Sequence, residues 1–183
     1  FKYFREMRSR LLFILLLITQ TLFAQRYSFF QRGVEDGLPN AAINDILEDE
    51  SGMIWLATDG GGLIRFDGSN FQSLDIFENL PSPFVTVLTK DDAGNFWIGT
   101  EKGLAFYDGK SLSILSDGPK SRVNSISIVG DKVWIATQEG VFSLANGKFV
   151  ADEITAKKNV LSLASWNETL FYCTSEASFI RNK

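Results

Sequence analysis

A tryptophan-centred strand–turn–strand recurs along this chain, and its spacing leaves few folds open. The first copy spans residues 51–67 and reads Ser-Gly-Met-Ile-Trp-Leu-Ala-Thr-Asp-Gly-Gly-Gly-Leu-Ile-Arg-Phe-Asp. Residues 95–108 repeat it closely, 132–144 repeat it again, and 170–180 form a worn fourth copy. The anchors Trp55, Trp97, Trp134 and Phe171 stand 42, 37 and 37 residues apart. A period near 40 carrying short β segments predicts an all-β chain folded as a β-propeller, with about four blades of four antiparallel strands present.

The middle strands sharpen that reading. Ile54-Trp-Leu-Ala57, Phe96-Trp-Ile-Gly99 and Val133-Trp-Ile-Ala136 are apolar on both faces, so each needs a neighbour on each side. Blades stacked around an axis supply those neighbours, whereas a lone sheet with one wet face does not. Two residues after each anchor sits a small residue, Ala57, Gly99, Ala136 and then Cys173. Large beside small is what interdigitating blades require. A buried Trp covers about 150–250 Å², worth at most about 4–6 kcal/mol. These anchors are therefore read as packing residues.

Strands are predicted at 43–48, 53–58, 63–67 and 71–76, then 84–90, 96–100, 104–107 and 112–115. The third repeat gives 123–129, 133–137, 141–144 and 149–153, and the fourth 160–165, 170–174 and 178–180. The repeats thus cover about 38–78, 79–117, 118–155 and 156–183 of a partial propeller over 25–183. A run at 27–32 resembles 71–76, and each precedes a Leu-Pro pair, Leu38-Pro39 or Leu80-Pro81. That run is predicted to be the outer strand of a closing blade. Sixteen strands could formally close a four-bladed ring; the preferred expectation is the N-terminal part of a seven-bladed one.

Residues 1–24 stand apart. Met7-Arg-Ser-Arg10 is a basic head, Leu11 to Ile18 is apolar, and Ala24-Gln25 offers a small residue before a cut. This is the order of a secretory signal peptide, too short in its apolar run to span a bilayer comfortably, although a retained anchor stays open. Phe1 to Glu6 read as sequence upstream of a true start at Met7. The expectation is an exported, periplasmic domain attached to an inner-membrane protein. Without residues 1–24 the chain keeps 14 of its 18 basic residues and 21 of its 22 acids, a net charge of −7. Such a domain is a poor partner for nucleic acid. The single cysteine allows no internal disulfide, and with no histidine a Ser-His-Asp triad or an imidazole base is excluded.

The connections carry turn chemistry. Asp49-Glu-Ser-Gly52 and Asp91-Asp-Ala-Gly-Asn95 suit short hairpins, and Asp67-Gly, Asp108-Gly and Asn146-Gly suit tight turns. Their spacing does not match a calcium loop, so no metal and no cofactor is expected. Gly60-Gly-Gly62 does not open a helix and is no phosphate cradle; it is a hairpin with one residue more than its equivalents.

On these residues the chain resembles the two-component regulator propeller repeat. Gly37-Leu-Pro-Asn40, Ile43-Asn-Asp-Ile-Leu-Glu-Asp-Glu-Ser-Gly52, Ile54-Trp-Leu-Ala-Thr58 and Gly60-Gly-Gly-Leu-Ile-Arg-Phe-Asp67 carry the resemblance in the first repeat. The second keeps Asp92, Gly94, Trp97-Ile-Gly-Thr100, Gly103-Leu104 and Tyr107-Asp108; the third keeps Trp134, Ala136-Thr137 and Gly140; the fourth keeps Thr174 and the apolar frame. The resemblance implies the periplasmic sensor region of a Bacteroidetes-type signalling protein. It further implies further blades, a downstream histidine kinase or DNA-binding module in the same chain, and an oligosaccharide ligand.

Three functional readings follow. A ligand-sensing module would use polar residues of the rim loops: Asp59, Glu101, Lys102, Gln138 and Glu139, with Asn44 and Asn124 at the inner strand starts. A propeller-type polysaccharide-degrading enzyme would need two carboxylates facing each other, whereas the acids here fall mostly in repeated turns. A scaffold would serve only docking or homodimerisation.

Overall fold

The structure, a computed structural model, describes residues 3, 4, 7, 10, 29–74, 79–167 and 169–181. The chain divides into two compact units, 1–31 and 32–183. In the first, Tyr3, Phe4, Met7 and Arg10 are helical, and Phe29 and Phe30 are exposed. The apolar run at 11–18 and the cleavage position at 24–25 lie outside the described residues. Among the described residues no helix is long and apolar enough to cross a membrane.

The second unit is four antiparallel sheets of consecutive strands. Blade 1 holds β1 (Ile43–Glu48), β2 (Ile54–Thr58), β3 (Gly62–Phe66) and β4 (Phe71–Ser73). Blade 2 holds β5 (Val85–Lys90), β6 (Phe96–Thr100), β7 (Gly103–Tyr107) and β8 (Leu112–Ile114). Blade 3 holds β9 (Val123–Val129), β10 (Lys132–Thr137), β11 (Gly140–Ala145) and β12 (Lys148–Ala151). Blade 4 holds β13 (Val160–Trp166), β14 (Thr169–Thr174) and β15 (Ser178–Arg181). The first strands pack side by side, β1 on β5, β5 on β9 and β9 on β13, so they are the inner strands of a propeller. A single turn of 3₁₀ helix, Val34–Asp36, precedes blade 1.

The sequence reading and these strands agree to within a few residues, with one correction. Of the outer strand expected at 27–32, the described part carries no strand. Residues 27 and 28 lie outside the described residues, and Phe29–Arg32 is irregular backbone. A strand exists only where a neighbour takes its N–H and C=O groups, and among the described residues nothing pairs with this run.

Side chains alternate between a blade's two faces, and each face is completed by a different neighbour. Trp55 and Ala57 point towards blade 2 and share a core with Leu80, Val85, Phe96 and Ile98. The Trp55 ring meets Phe96 edge-on at 4.9 Å and tilts against Tyr107 at 5.2 Å. Trp97 points onward to Val123, Ile126 and Val133 of blade 3, and Ala136 points to Val160 and Leu163 of blade 4. The small residue is a spatial necessity. A Cβ on Gly99 would stand 2.5 Å from Val87 Cγ1 and 2.7 Å from Val123 Cγ1. The Leu-Pro segments add apolar plugs: Leu80 enters the blade 1–blade 2 core, while Leu38 covers Leu56 and Ile64 on blade 1's other face.

The anchors become less buried along the chain. Trp55 is 2 % exposed and Trp97 8 %, whereas Trp134, Phe171 and Cys173 are half-buried. An anchor is covered by the blade that follows it. Among the described residues Trp134 has no aromatic pair; instead the Arg181 guanidinium lies 5.1 Å over its ring. Phe171 and Cys173 sit on blade 4's far face, where among the described residues no blade follows.

In blade 1 the turn between first and second strands holds the anchor from below. The Asp49 carboxylate accepts hydrogen bonds from the Ser51 N–H and hydroxyl, the Met53 N–H and, at 2.8 Å, the Trp55 indole. Burial by itself would raise the Asp49 carboxyl, but these donors together outweigh it and hold it below the ordinary 3.8. Asp91 is held low in the same way, burial being outweighed by Asn95 and the Ala93 N–H. In blade 2, Asn95 donates its amide to Asp91 at 3.0 Å, and the buried Trp97 indole nitrogen, close enough to Asp91 to help hold it low, makes no well-formed hydrogen bond.

Replacing Gly99 by Ala is expected to destabilise the chain by about 1–3 kcal/mol through overpacking at the blade 2–blade 3 seam. Chemical denaturation checks this, and an unchanged midpoint would refute the seam. Asp49→Ala is expected to cost about 1–3 kcal/mol by orphaning its donors, against at most about 0.5 for the exposed Glu50→Ala. Because the folded Asp49 titrates below its unfolded value, its contribution is complete above 3.8 and is lost as pH falls through the lowered folded value. Asp49→Asn should therefore show a shallower acid dependence of stability than wild type.

Candidate functional site

The rim is built by the hairpins between second and third strands and by the segments that lead into each next blade. Every hairpin is closed the same way. The buried hydroxyls of Thr58, Thr100 and Thr137 donate to the carbonyls of Gly62, Gly103 and Gly140 at 2.7, 2.9 and 2.8 Å. Thr174 does so to Ala177 at 3.2 Å. Thr100 and Thr137 also accept the N–H of Lys102 and Glu139, so the backbone needs nothing from the hairpin side chains. Gly103 and Gly140 hold φ of 128° and 132°, and a Cβ there would meet the carbonyl of Pro119 or Thr155 at 2.8 or 2.9 Å, so both positions require glycine.

These hairpins are stitched to the next connection. The Gly62 N–H donates to Pro83 and the Lys157 N–H to Glu139, at 2.9 and 2.8 Å. The Glu101 carboxylate pairs with Arg122 at 2.7 Å, bridging blades 2 and 3. The structure therefore brings Asp59, Glu101, Lys102, Gln138 and Glu139 to one rim. Asp59, Lys102, Gln138 and Glu139 are exposed, while Glu101 is partly committed to Arg122.

Asn44 and Asn124 have another task. Each inner strand bulges at its second residue, where the ladder skips between Ile43 and Asp45, Val85 and Val87, Val123 and Ser125, and Val160 and Ser162. A bulge re-aims the side chain it carries. Asn44 donates to the Val85 carbonyl at 2.8 Å, Thr86 to Val123 at 2.6 Å, and Asn124 to Val160 at 2.8 Å. The second residue of each inner strand thus clasps the first residue of the next. In blade 4 the position is Leu161, which has no donor and is exposed.

Sequence reasoning did not single out Thr86, Arg122 or the cluster at blade 4. There Asp152, itself buried, accepts from the Thr155 N–H and hydroxyl at 3.2 and 3.0 Å and from Arg181. Asp152 and Arg181, with Trp134 and Glu153, line a cleft of about 320 Å³. The Asp152 oxygens are already engaged, so the cluster fastens β15 to blade 3. Among the described residues no group of His, Cys, Asp and Glu could hold a metal ion. The one signal that could have found the bulge residues is positional: each stands just after the Val or Ile that opens an inner strand.

Comparison with known proteins agrees with this geometry. Residues 37–60 and 79–102 each match the two component regulator propeller model. The extracellular domain described as that of a one component system of B. thetaiotaomicron superposes with a TM-score of 0.69 at 21% identity, over 86% of this chain and 22% of that one. The corresponding domain of a hybrid two component system from the same organism gives 0.64 at 21% identity, over 80% and 21%. An ancestral GH74 enzyme gives 0.61 at 17% identity, over 84% and 24%. This chain thus spans about a fifth to a quarter of those chains, and at such identities the likeness is one of fold. No curated protein matches the chain by sequence. The matched stretches run from the Leu-Pro segments through the first two strands and the Asp-turns of blades 1 and 2, a little over a quarter of the chain; those two stretches are similar to the two component regulator propeller repeat, and the fold is that of a β-propeller.

Proposed function

We propose that this chain is the ligand-sensing propeller region of a periplasmic signalling protein, responsive to an oligosaccharide and non-catalytic in itself. One observation carries it: the rim hairpins satisfy their own backbones through buried threonines and leave Asp59, Lys102, Gln138 and Glu139 exposed on one face. Side chains released from structural duty are available to hydrogen-bond a polyhydroxylated ligand. The two matched repeats and the fold shared with extracellular domains of signalling systems support the same reading. The acids support the non-catalytic part, since Asp49, Asp67, Asp91 and Asp108 hold turns and Glu101 pairs with Arg122. In the cell the chain is exported and lies in the periplasm. Further blades and a histidine kinase or DNA-binding output in the same protein complete it, and the receptor acts as a homodimer.

The test is made in the intact receptor. Lys102, Gln138 and Glu139 are replaced together by Ser, and the transcriptional response to oligosaccharides is followed with the melting temperature. The triple variant is expected to lose at least about tenfold in sensitivity with its melting temperature unchanged, as for residues at a binding centre. An unaltered response would overturn the rim as the sensing surface.

A further inference from the structure

The hairpins between third and fourth strands are closed in two ways. In blades 1 and 2 the loop has four residues, 67–70 and 108–111, between the pairs Phe66–Phe71 and Tyr107–Leu112. Its leading carboxylate is held in place. Asp67 accepts the N–H of Ser69 and Asn70, and Asp108 that of Lys110 and Ser111, at 2.7–2.9 Å. In blade 3 the pair Ala145–Lys148 leaves only Asn146 and Gly147 between the strands. Their φ angles are 52° and 72°, the two positive values of a type I′ turn.

Asn146 is set apart by its neighbour and by its freedom. Of the ten asparagines in the chain it alone precedes a glycine, so no side chain on the next residue shields that residue's nitrogen. Both turn residues are exposed, and among the described residues neither the Asn146 amide nor the Gly147 N–H makes a hydrogen bond. Other asparagines are committed. Asn40 and Asn44 donate their amides to the carbonyls of Asp59 and Val85, Asn95 donates to Asp91, and Asn124 donates to Asn159 and Val160.

We propose that Asn146–Gly147 is a site of spontaneous deamidation, and that the reaction loosens the hairpin it closes. The Gly147 nitrogen attacks Asn146 Cγ, the Cγ–Nδ2 bond breaks, and ammonia leaves with the proton given up by Gly147. The product is a cyclic succinimide, which water opens at either carbonyl. Opening at Cγ leaves an aspartate in a normal backbone. Opening at the main-chain carbonyl leaves isoaspartate, whose backbone runs through the side chain and is one carbon longer. A two-residue loop fixes the register of its strands, so the longer backbone disturbs the pairing of Leu144 with Phe149. Phe149 packs against the blade 2–blade 3 core, and the change therefore reaches that seam. The turn lies at the opposite end of the blade from the rim, so this inference stands independently of the sensing reading.

The test incubates the folded full chain in mildly alkaline buffer and digests samples with trypsin over time. The peptide 133–148, in which Asn146 is the only asparagine, is followed by mass spectrometry. It is expected to convert from amide to acid at least about tenfold faster than any other asparagine-containing peptide of the chain. Part of the product should be isoaspartate, detected with an isoaspartyl methyltransferase. The aged chain should melt below the fresh one, and Asn146→Gln should remove both the conversion and the drop. A peptide that stays unmodified in the folded chain, while the same segment reacts as a free synthetic peptide, would overturn the site. Isoaspartate formed with no change in melting temperature would overturn its effect on β12.

Discussion

No blade of this molecule is complete alone. The seam between blades is the interaction on which the rest depends: a large anchor and a small residue on one second strand receive the opening valine of the next blade. Gly99 shows how tight it is, with Val87 and Val123 both closer to its missing Cβ than side chains normally approach. The same seam explains why Trp55 is buried while Phe171 is half open, although both occupy the same place in their repeats. Burial here belongs to the pair of blades and not to the residue. Stability is therefore a property of consecutive junctions, as in other stacked repeats.

Polar groups follow the same economy from both ends of the blade. Below, Asp49 and Asp91 gather the donors of their turns, and Asp49 reaches up to the indole of its anchor. Above, a threonine closes each hairpin. Between them, the bulge residues Asn44, Thr86 and Asn124 tie each inner strand to the next at its first carbonyl. Hydrophobic seams set the distance between blades; these bonds set the register. Leu161 breaks the series, placing an exposed apolar side chain where the other blades carry a donor.

Much of this was legible in the order of residues. The period, the anchors, the small residues and the Asp-turns are local or strictly repeated, and the strands fall close to where the pattern places them. In the run at 27–32 the described residues 29–32 carry no strand, because strand character needs a partner, which composition does not report. Asn44 and Asn124 looked like ligand groups because an amide at a strand start can serve either use. Only the fold reveals that their acceptors lie 41 and 36 residues away on another blade.

The threonine closure has a consequence for how such a protein can change over time. Since the hydroxyl and the glycine carbonyl satisfy the hairpin internally, the side chains at its tip, the Arg122-paired Glu101 apart, contribute little to the folded state. Substitutions there are close to free in stability terms, while the frame that displays them stays fixed. A chain built this way can trade one recognition preference for another in small steps, each variant folding as well as its parent.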